Sequence, residues 1–321
     1  MTRLISLFRR LWSGNAASSA PRKWNVDYSN TPWFDRPDAL DQLERKKTSG
    51  SVDDAEYERL SHWCEKGYFT FPALIDSERI DMLLADLDNI WTTDVAIPGL
   101  AISGAKVSPD DPQEVPHRRI VDLAQEDRFK LRDSARWRVH SFFHHSPATR
   151  AIFDDAGMKR MAAKLLGAPA VNSGSINFMY GSQQALHQDM MVFAVVPINY
   201  LIGVWISCED VDRSSGPLVF FSGSHKEPIF KPFAENYPQT MLKTCSQETS
   251  KAYRQHLHEV AAKYKRVEYL PKKGEVLFWH GMLIHGGSEV TDSTRTRKSF
   301  VFHYVGEGMD QMTKVKGPFN W

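Results

Sequence analysis

The chain has 321 residues, 42% of them hydrophobic and 25% charged, with a formal net charge of +1. That is enough apolar material for a full core, and it leaves no global field to draw the protein to nucleic acid or another polyanion. Three widely spaced cysteines, Cys64, Cys208 and Cys245, suggest neither a disulfide framework nor a thiolate zinc site and fit a reducing, intracellular setting.

Residues 2–13, wound as a helix, gather Leu4, Ile5, Leu7, Phe8, Leu11 and Trp12 in one apolar arc opposite Thr2, Arg3, Ser6, Arg9, Arg10 and Ser13. No acidic residue precedes Asp27. The segment reads as an interfacial helix giving peripheral membrane contact through residues 1–14, as a transit peptide within residues 1–26, or as a helix docked on the domain or frayed. The first reading implies a cytoplasmic, membrane-associated protein, and the second a mitochondrial matrix protein. No window reaches the roughly 18 apolar residues that a membrane-spanning helix needs. Residues 16–53 carry isolated aromatics, among them Trp24, Tyr28, Trp33 and Phe34, without a sustained period, as an extended arm lying over the domain would. The expected division is therefore an N-terminal helix and arm over 1–53, a single domain over 54–310 and a tail over 311–321.

A helix is expected from Asp54 to about Lys66, then a strand over Tyr68–Leu74. A second helix starts at Asp76-Ser77 and repeats Ile80, Leu83, Leu84, Leu87 and Ile90 at helical spacing. Val95–His117 is rich in Pro, Gly, Ser and Asp and reads as a long loop suited to a lid. Ser134–His145 and Ala148–Leu166 read as helices. After Gly167 the texture changes to short apolar, β-branched and aromatic segments: Ser175–Tyr180, Asn199–Ile206, Leu218–Phe221, Val267–Leu270, Val276–Trp279 and Ser299–Val305. One helix, Glu248–Arg266, interrupts them. The pattern is that of a sandwich or barrel over about 170–305, mainly β with flanking helices and an N-terminal helical layer.

The chemistry lies in this second half. On a strand, His187 and Asp189 would project from one face while Gln188 points away. His-x-Asp is weak alone, but a Gly274-Glu275 turn about a hundred residues on launches an apolar strand that ends in His280 and His285. His285 is followed by Gly286 and Gly287, small residues that leave room for a ligand, so it is preferred as the third corner, with His280 as a core group or a support behind the ligands. Two histidines and a carboxylate leave three coordination positions open, which suits iron(II) better than a closed zinc site. Arg297, at the start of the last strand, is the candidate clamp for a co-substrate carboxylate, with Arg295 of the same parity as the alternative. Met190, Met191, Phe193 and Val195 suggest an apolar wall.

His187-Gln188-Asp189, the run Gly203 to Val211, Ser215-Gly216-Pro217-Leu218, Ser222-Gly223-Ser224-His225-Lys226 and the series from Gly274 through His285 to Arg297 together resemble the phytanoyl-CoA dioxygenase family, over roughly residues 55–305. The resemblance implies a double-stranded β-helix (jelly roll, cupin-like) core. It implies iron(II), 2-oxoglutarate and O2 as cofactor and co-substrates, with ascorbate in a supporting role. His187, Asp189 and His285 match the iron ligands, Arg297 matches the residue holding the distal carboxylate of 2-oxoglutarate, and Trp205 matches a position near it. Asn177 and Tyr180, on the strand before the ligand pair, are further candidate contacts, and His225 would stand at the site mouth. Gly287 replaces a hydroxyl that some members carry. The implied reaction is hydroxylation of a small or lipid-like substrate with release of succinate and CO2. Two other readings are a barrel that binds without catalysis and a cupin-type enzyme that needs no oxo-acid.

Overall fold

The computed structural model describes residues 30–238 and 241–311, so the amphipathic segment and most of the expected tail lie outside the described residues. Its strands are β1 (Tyr68–Phe71), β2 (Ala101–Ser103), β3 (Glu114–Pro116), β4 (Arg138–His140), β5 (Ala170–Phe178), β6 (Val195–Val196), β7 (Leu201–Ser207), β8 (Leu218–Ser222), β9 (Lys265–Tyr269), β10 (Val276–His280), β11 (His285–Gly287), β12 (Ser299–Gly306) and β13 (Asp310–Gln311). They form an eight-stranded sheet in the order β1-β10-β7-β12-β5-β4-β2-β3, a three-stranded sheet β11-β8-β9, and a two-stranded pair β13-β6. Neighbouring strands run antiparallel, as hairpin and Greek-key connections require. The two larger sheets face one another as a jelly roll.

Period-two alternation sorts the central strands into two faces. Val204 and Ile206 of β7, Val276 and Phe278 of β10, and Phe300, Phe302 and Tyr304 of β12 join the large core under the helices. The alternate residues Trp205, Leu277 and Trp279 join a smaller cluster with Phe220 and Tyr269 from the facing sheet. The chemistry occupies this second, inner face.

The helical layer follows its sequence signals. Asp53 accepts from the Glu56 amide to cap the Asp54–Lys66 helix, which ends on Gly67 in the left-handed region. Asp76 does the same for Ser77–Thr92, whose Ile80, Leu83, Leu87 and Ile90 are buried, each stabilising the fold by about 1.5–3 kcal/mol. No helix among the described residues is long and apolar enough to cross a membrane.

Several expectations need correction. The arm holds a helix, Ala39–Thr48, with only Ala39 and Leu43 buried, too sparse a stripe to show a period. Val95–His117 is not one long loop: β2 and β3 pair as a hairpin that extends the edge of the large sheet. Ser134–His145 is not a helix. The helix there is Gln125–Ser134, with Arg128 its buried residue and no apolar stripe, and β4 follows. Ala148–Leu166 is two helices, Pro147–Phe153 and Ala156–Leu166, because Asp155 caps the second through the Gly157 and Met158 amides. The late helix is Gln247–Ala261, and Lys265 and Arg266 already belong to β9. The strand expected over Tyr68–Leu74 stops at Phe71.

Candidate metal centre

His187, Asp189 and His285 come together with one ligand atom each, all within 4.8 Å of one another. They are not brought together by the parity of a strand. His187 and His285 exchange backbone hydrogen bonds of 2.9 and 3.1 Å as an isolated bridge, which sets the two rings 4.2 Å apart. Asp189 begins a helical turn, Met190–Phe193, with helical φ and ψ of its own. The turn ends on Ala194 at φ 35°, a left-handed conformation that residues other than glycine rarely adopt. Gln188, expected to point away, is buried: its Nε2 donates to the Met282 carbonyl, and the Tyr253 hydroxyl donates to its Oε1. It ties the ligand segment to the turn before His285 and to the Gln247–Ala261 helix.

The glycines after His285 make room for the chain itself. A Cβ on Gly286 would lie 2.8 Å from the Gln184 carbonyl oxygen, and one on Gly287 2.8 Å from the Gln183 nitrogen. Small residues here let the segment leading to His187 pass close enough to form the bridge.

Hydrogen bonding fixes which atoms face the metal position. His187 Nδ1 lies 2.9 Å from the Ala185 carbonyl and His285 Nδ1 2.9 Å from that of Leu283, so each Nδ1 carries the proton and each Nε2 presents a lone pair. Those two Nε2 atoms stand 3.6 and 3.7 Å from Asp189 Oδ1. The other carboxylate oxygen, Oδ2, accepts from Trp279 Nε1 at 2.8 Å and His303 Nε2 at 2.9 Å. Burial alone would raise the Asp189 pKa, but His285 and His303 beside it hold the carboxyl well below the usual carboxylate range. Burial, with His187 alongside, pushes His285 down to about 4, so it is a neutral imidazole at pH 7. One carboxylate oxygen and two imidazole nitrogens on one side are a donor set that fits iron(II) with open positions.

Sequence reading missed Trp279 and His303, although the signal was present. Trp279 shares parity with the inward Leu277, and His303 with Val301 and Arg297. Gly203 lies directly between them, paired with Trp279 on one side and His303 on the other. A Cβ there would fall 2.0 Å from the Trp279 ring, so only glycine lets the indole cross β7 to Asp189.

Arg297 is 2% exposed on this face; one terminal nitrogen donates to the Gly216 carbonyl at 2.9 Å, while its Nε finds no partner. No carboxylate among the described residues pairs with it, and burial pulls it down to about 10, still cationic at pH 7. Ser299, two residues on, is likewise buried with an unpartnered hydroxyl. Buried polar groups left unmatched are costly unless a ligand completes them. Arg295, the alternative, is exposed and faces Asp292 and Asp212. Trp205 stands in the inner cluster, its ring 5.7 Å from that of Tyr269.

Other expected contacts lie elsewhere. Asn177 pairs with Phe300 and Val139 and so faces the helices. The Tyr180 hydroxyl points to the Arg132 and Asp133 carbonyls, in a surface groove beside Thr296 and Lys298. His280 is on the outer face of β10: its Nδ1 accepts from the Met282 amide, and its Nε2 donates to Asp35 of the arm. His225 packs 5.1 Å from that ring and is not at a mouth. Met190, Met191 and Val195 are core, which leaves Phe193, 4.5 Å from His303, as the apolar group beside the centre.

The sequence pattern of the phytanoyl-CoA dioxygenase (PhyH) family matches residues 63–299. Rat peroxisomal phytanoyl-CoA dioxygenase is 25% identical over 265 residues, 81% of this chain and 71% of that protein. Among solved structures, the non-haem α-ketoglutarate-dependent carbocyclase SnoK of nogalamycin biosynthesis superposes with a TM-score of 0.56 at 15% identity, over 82% of this chain and 87% of that one. The epimerase SnoN, in complex with Fe3+, α-ketoglutarate and nogalamycin RO, gives 0.53 at 14% identity, over 88% and 94%.

Proposed function

Because the chain belongs to the phytanoyl-CoA dioxygenase family of iron(II)- and 2-oxoglutarate-dependent oxygenases, we propose that it hydroxylates an unactivated C–H bond of a small organic or lipid-like substrate, with His187, Asp189 and His285 holding the iron. The observation that carries this reading is the pairing of an open three-donor face with Arg297, a buried cation whose Nε has no partner, on the same inner surface. When bound, iron and 2-oxoglutarate supply the activation of dioxygen, with oxidative decarboxylation of the oxo-acid to succinate and CO2.

The protein's share is positioning. Ala185 and Leu283 hold the two imidazoles in the tautomer that ligates, and Trp279 and His303 leave Asp189 only Oδ1 to offer. Arg297 receives the distal carboxylate of 2-oxoglutarate, with the Ser299 hydroxyl as a second donor beside it and Trp205 in the wall nearby. The Gly216 carbonyl turns the guanidinium toward that place. Residues 1–14 carry the enzyme to a membrane surface in the cytoplasm, and deleting them is expected to release it into the soluble fraction.

Anaerobic titration of the iron-loaded protein with 2-oxoglutarate tests the assignment. Arg297→Gln is expected to weaken binding by about 10- to 100-fold, as loss of a charge-assisted carboxylate contact does, and Arg295→Gln to leave it unchanged. The reverse result would move the clamp to Arg295. Comparison of metabolites from wild-type and deletion strains, seeking a mass difference of one oxygen, identifies the substrate.

A further inference from the structure

A basic stripe faces the open end of the same inner surface. β4 and its approach read Arg136-Trp137-Arg138-Val139-His140, a period-two pattern whose Trp137 and Val139 are buried under the helices. Arg138 pairs with Phe178 and His140 with Ile176, and these two pair in turn with Ser299 and Val301 of β12. Directly opposed residues of antiparallel strands share a face, so Arg138 and His140 stand on the side that carries Val301, Trp205 and His303. The Arg138 guanidinium over the Phe178 ring, 5.9 Å from its centroid, agrees with this.

Among the described residues, the facing sheet leaves this part of the inner surface uncovered. Eight strands face only three, and Ile176 and Val301 are only partly buried although they sit on central strands whose outward residues Asn177, Phe300 and Phe302 are fully buried. On the side of the metal centre the space is bordered by Phe193, whose ring touches His303, and Lys243 Nζ lies 5.7 Å from the centroid of that Phe193 ring. Lys243 and Arg138 also flank His140: after its own burial, their two charges are what push it down to about 4. Glu114 of the neighbouring hairpin offsets part of the Arg138 charge. β4 lies two strands from β12, about 10 Å across the sheet, so Arg138 springs from a different strand than Arg297, the cation that would hold the co-substrate.

We propose that Arg138 and Lys243 form a specificity subsite for an anionic group, carboxylate or phosphate, on the substrate itself, with the substrate's apolar body lying over Ile176 and Val301. The placement relative to the metal rests on the oxygenase reading; the anion preference does not. Apolar contact supplies most of such a binding surface and a few charged groups fix orientation. Two cations at the border of the opening would fix the head group, and with it which carbon of the apolar portion reaches the metal centre.

A matched set of eight-carbon probes, octanoate, octyl phosphate, octan-1-ol and octylamine, tests this by anaerobic calorimetry on the full chain loaded with iron(II) and 2-oxoglutarate. The expected result is that one or both anions bind at least about tenfold more tightly than the alcohol and the amine, the tighter anion naming the head group. Arg138→Gln and Lys243→Gln should each remove most of that margin, about tenfold, without changing the affinity for 2-oxoglutarate. Lys243 is exposed, so its variant keeps the fold, and Arg138→Lys should restore part of the preference. Equal binding of the alcohol and the anions, or an anion preference that survives both substitutions, overturns the proposal. Failure of the oxygenase reading shows separately, as a wild-type protein that makes no succinate from 2-oxoglutarate.

Discussion

Replacing Trp279 with Phe isolates one hydrogen bond behind the metal centre. The substitution keeps an aromatic ring next to Gly203 and removes only the Nε1–H that reaches Asp189 Oδ2 at 2.8 Å. A buried hydrogen bond to a charged group contributes about 1.5–3 kcal/mol. His303 still holds the same oxygen at 2.9 Å, so the loss should fall at the lower end, about 1.5 kcal/mol, or roughly tenfold in the metal dissociation constant. The carboxylate, freed on one side, can rotate away from the position in which Oδ1 faces both imidazoles. Equilibrium titration with iron(II) or cobalt(II) under anaerobic conditions reads this directly, with the thermal midpoint of the metal-free proteins as a control for folding. His303→Gln should weaken the metal similarly, and the double variant by more than the two effects combined, since the second removal leaves Oδ2 unsupported. Wild-type metal affinity in both single variants would refute the reasoning that these two groups position Asp189.

Gly203→Ala puts a methyl 2.0 Å from the Trp279 ring, and the displaced indole should cost about 1–3 kcal/mol in denaturant unfolding as well as metal affinity. Acid should weaken the metal-free protein: burial first, then neighbouring charge, lowers His285 and His140 from 6.5 to about 4. The unfolded chain therefore takes up protons first. Stability contributed by the neutral imidazoles is full above pH 6.5 and is lost as pH falls toward 4, up to about 3 kcal/mol for each histidine; a flat thermal midpoint between pH 7 and 4.5 would contradict this. Asp35→Ala removes the acceptor for His280 Nε2 and should destabilise by about 1–3 kcal/mol, with faster proteolysis of the arm at limiting protease as the second readout.

Much of the site was legible because residue types and parity carry it. His-x-Asp, a distant His behind a Gly-Glu turn, and an Arg at the head of the last strand are each visible in one dimension. What brings them together was not visible. The bridge between His187 and His285 depends on two glycines admitting residues 183–184, and Asp189 starts a helical turn where a strand was expected. Trp279 and His303 went unread because an aromatic or a histidine in an apolar strand is more often core, and only the register at Gly203 shows that both reach one oxygen. His280 takes the core place that was one of its two expected roles: alternation on β10 turns it from the metal face to the opposite one, where the arm meets it through Asp35. In the helical layer, capped amphipathic helices were readable, whereas Gln125–Ser134 has no apolar stripe and the strand after it is half basic.

The most direct test of the central claim is whether the purified protein, without added substrate, converts 2-oxoglutarate to succinate and CO2. The predicted result is slow turnover with equal yields of the two products, dependent on iron(II) and oxygen, abolished by His187→Ala and reduced at subsaturating 2-oxoglutarate by Arg297→Gln. Turnover that persists in His187→Ala, or an iron-loaded wild-type protein that leaves 2-oxoglutarate untouched and does not bind it, would contradict the account.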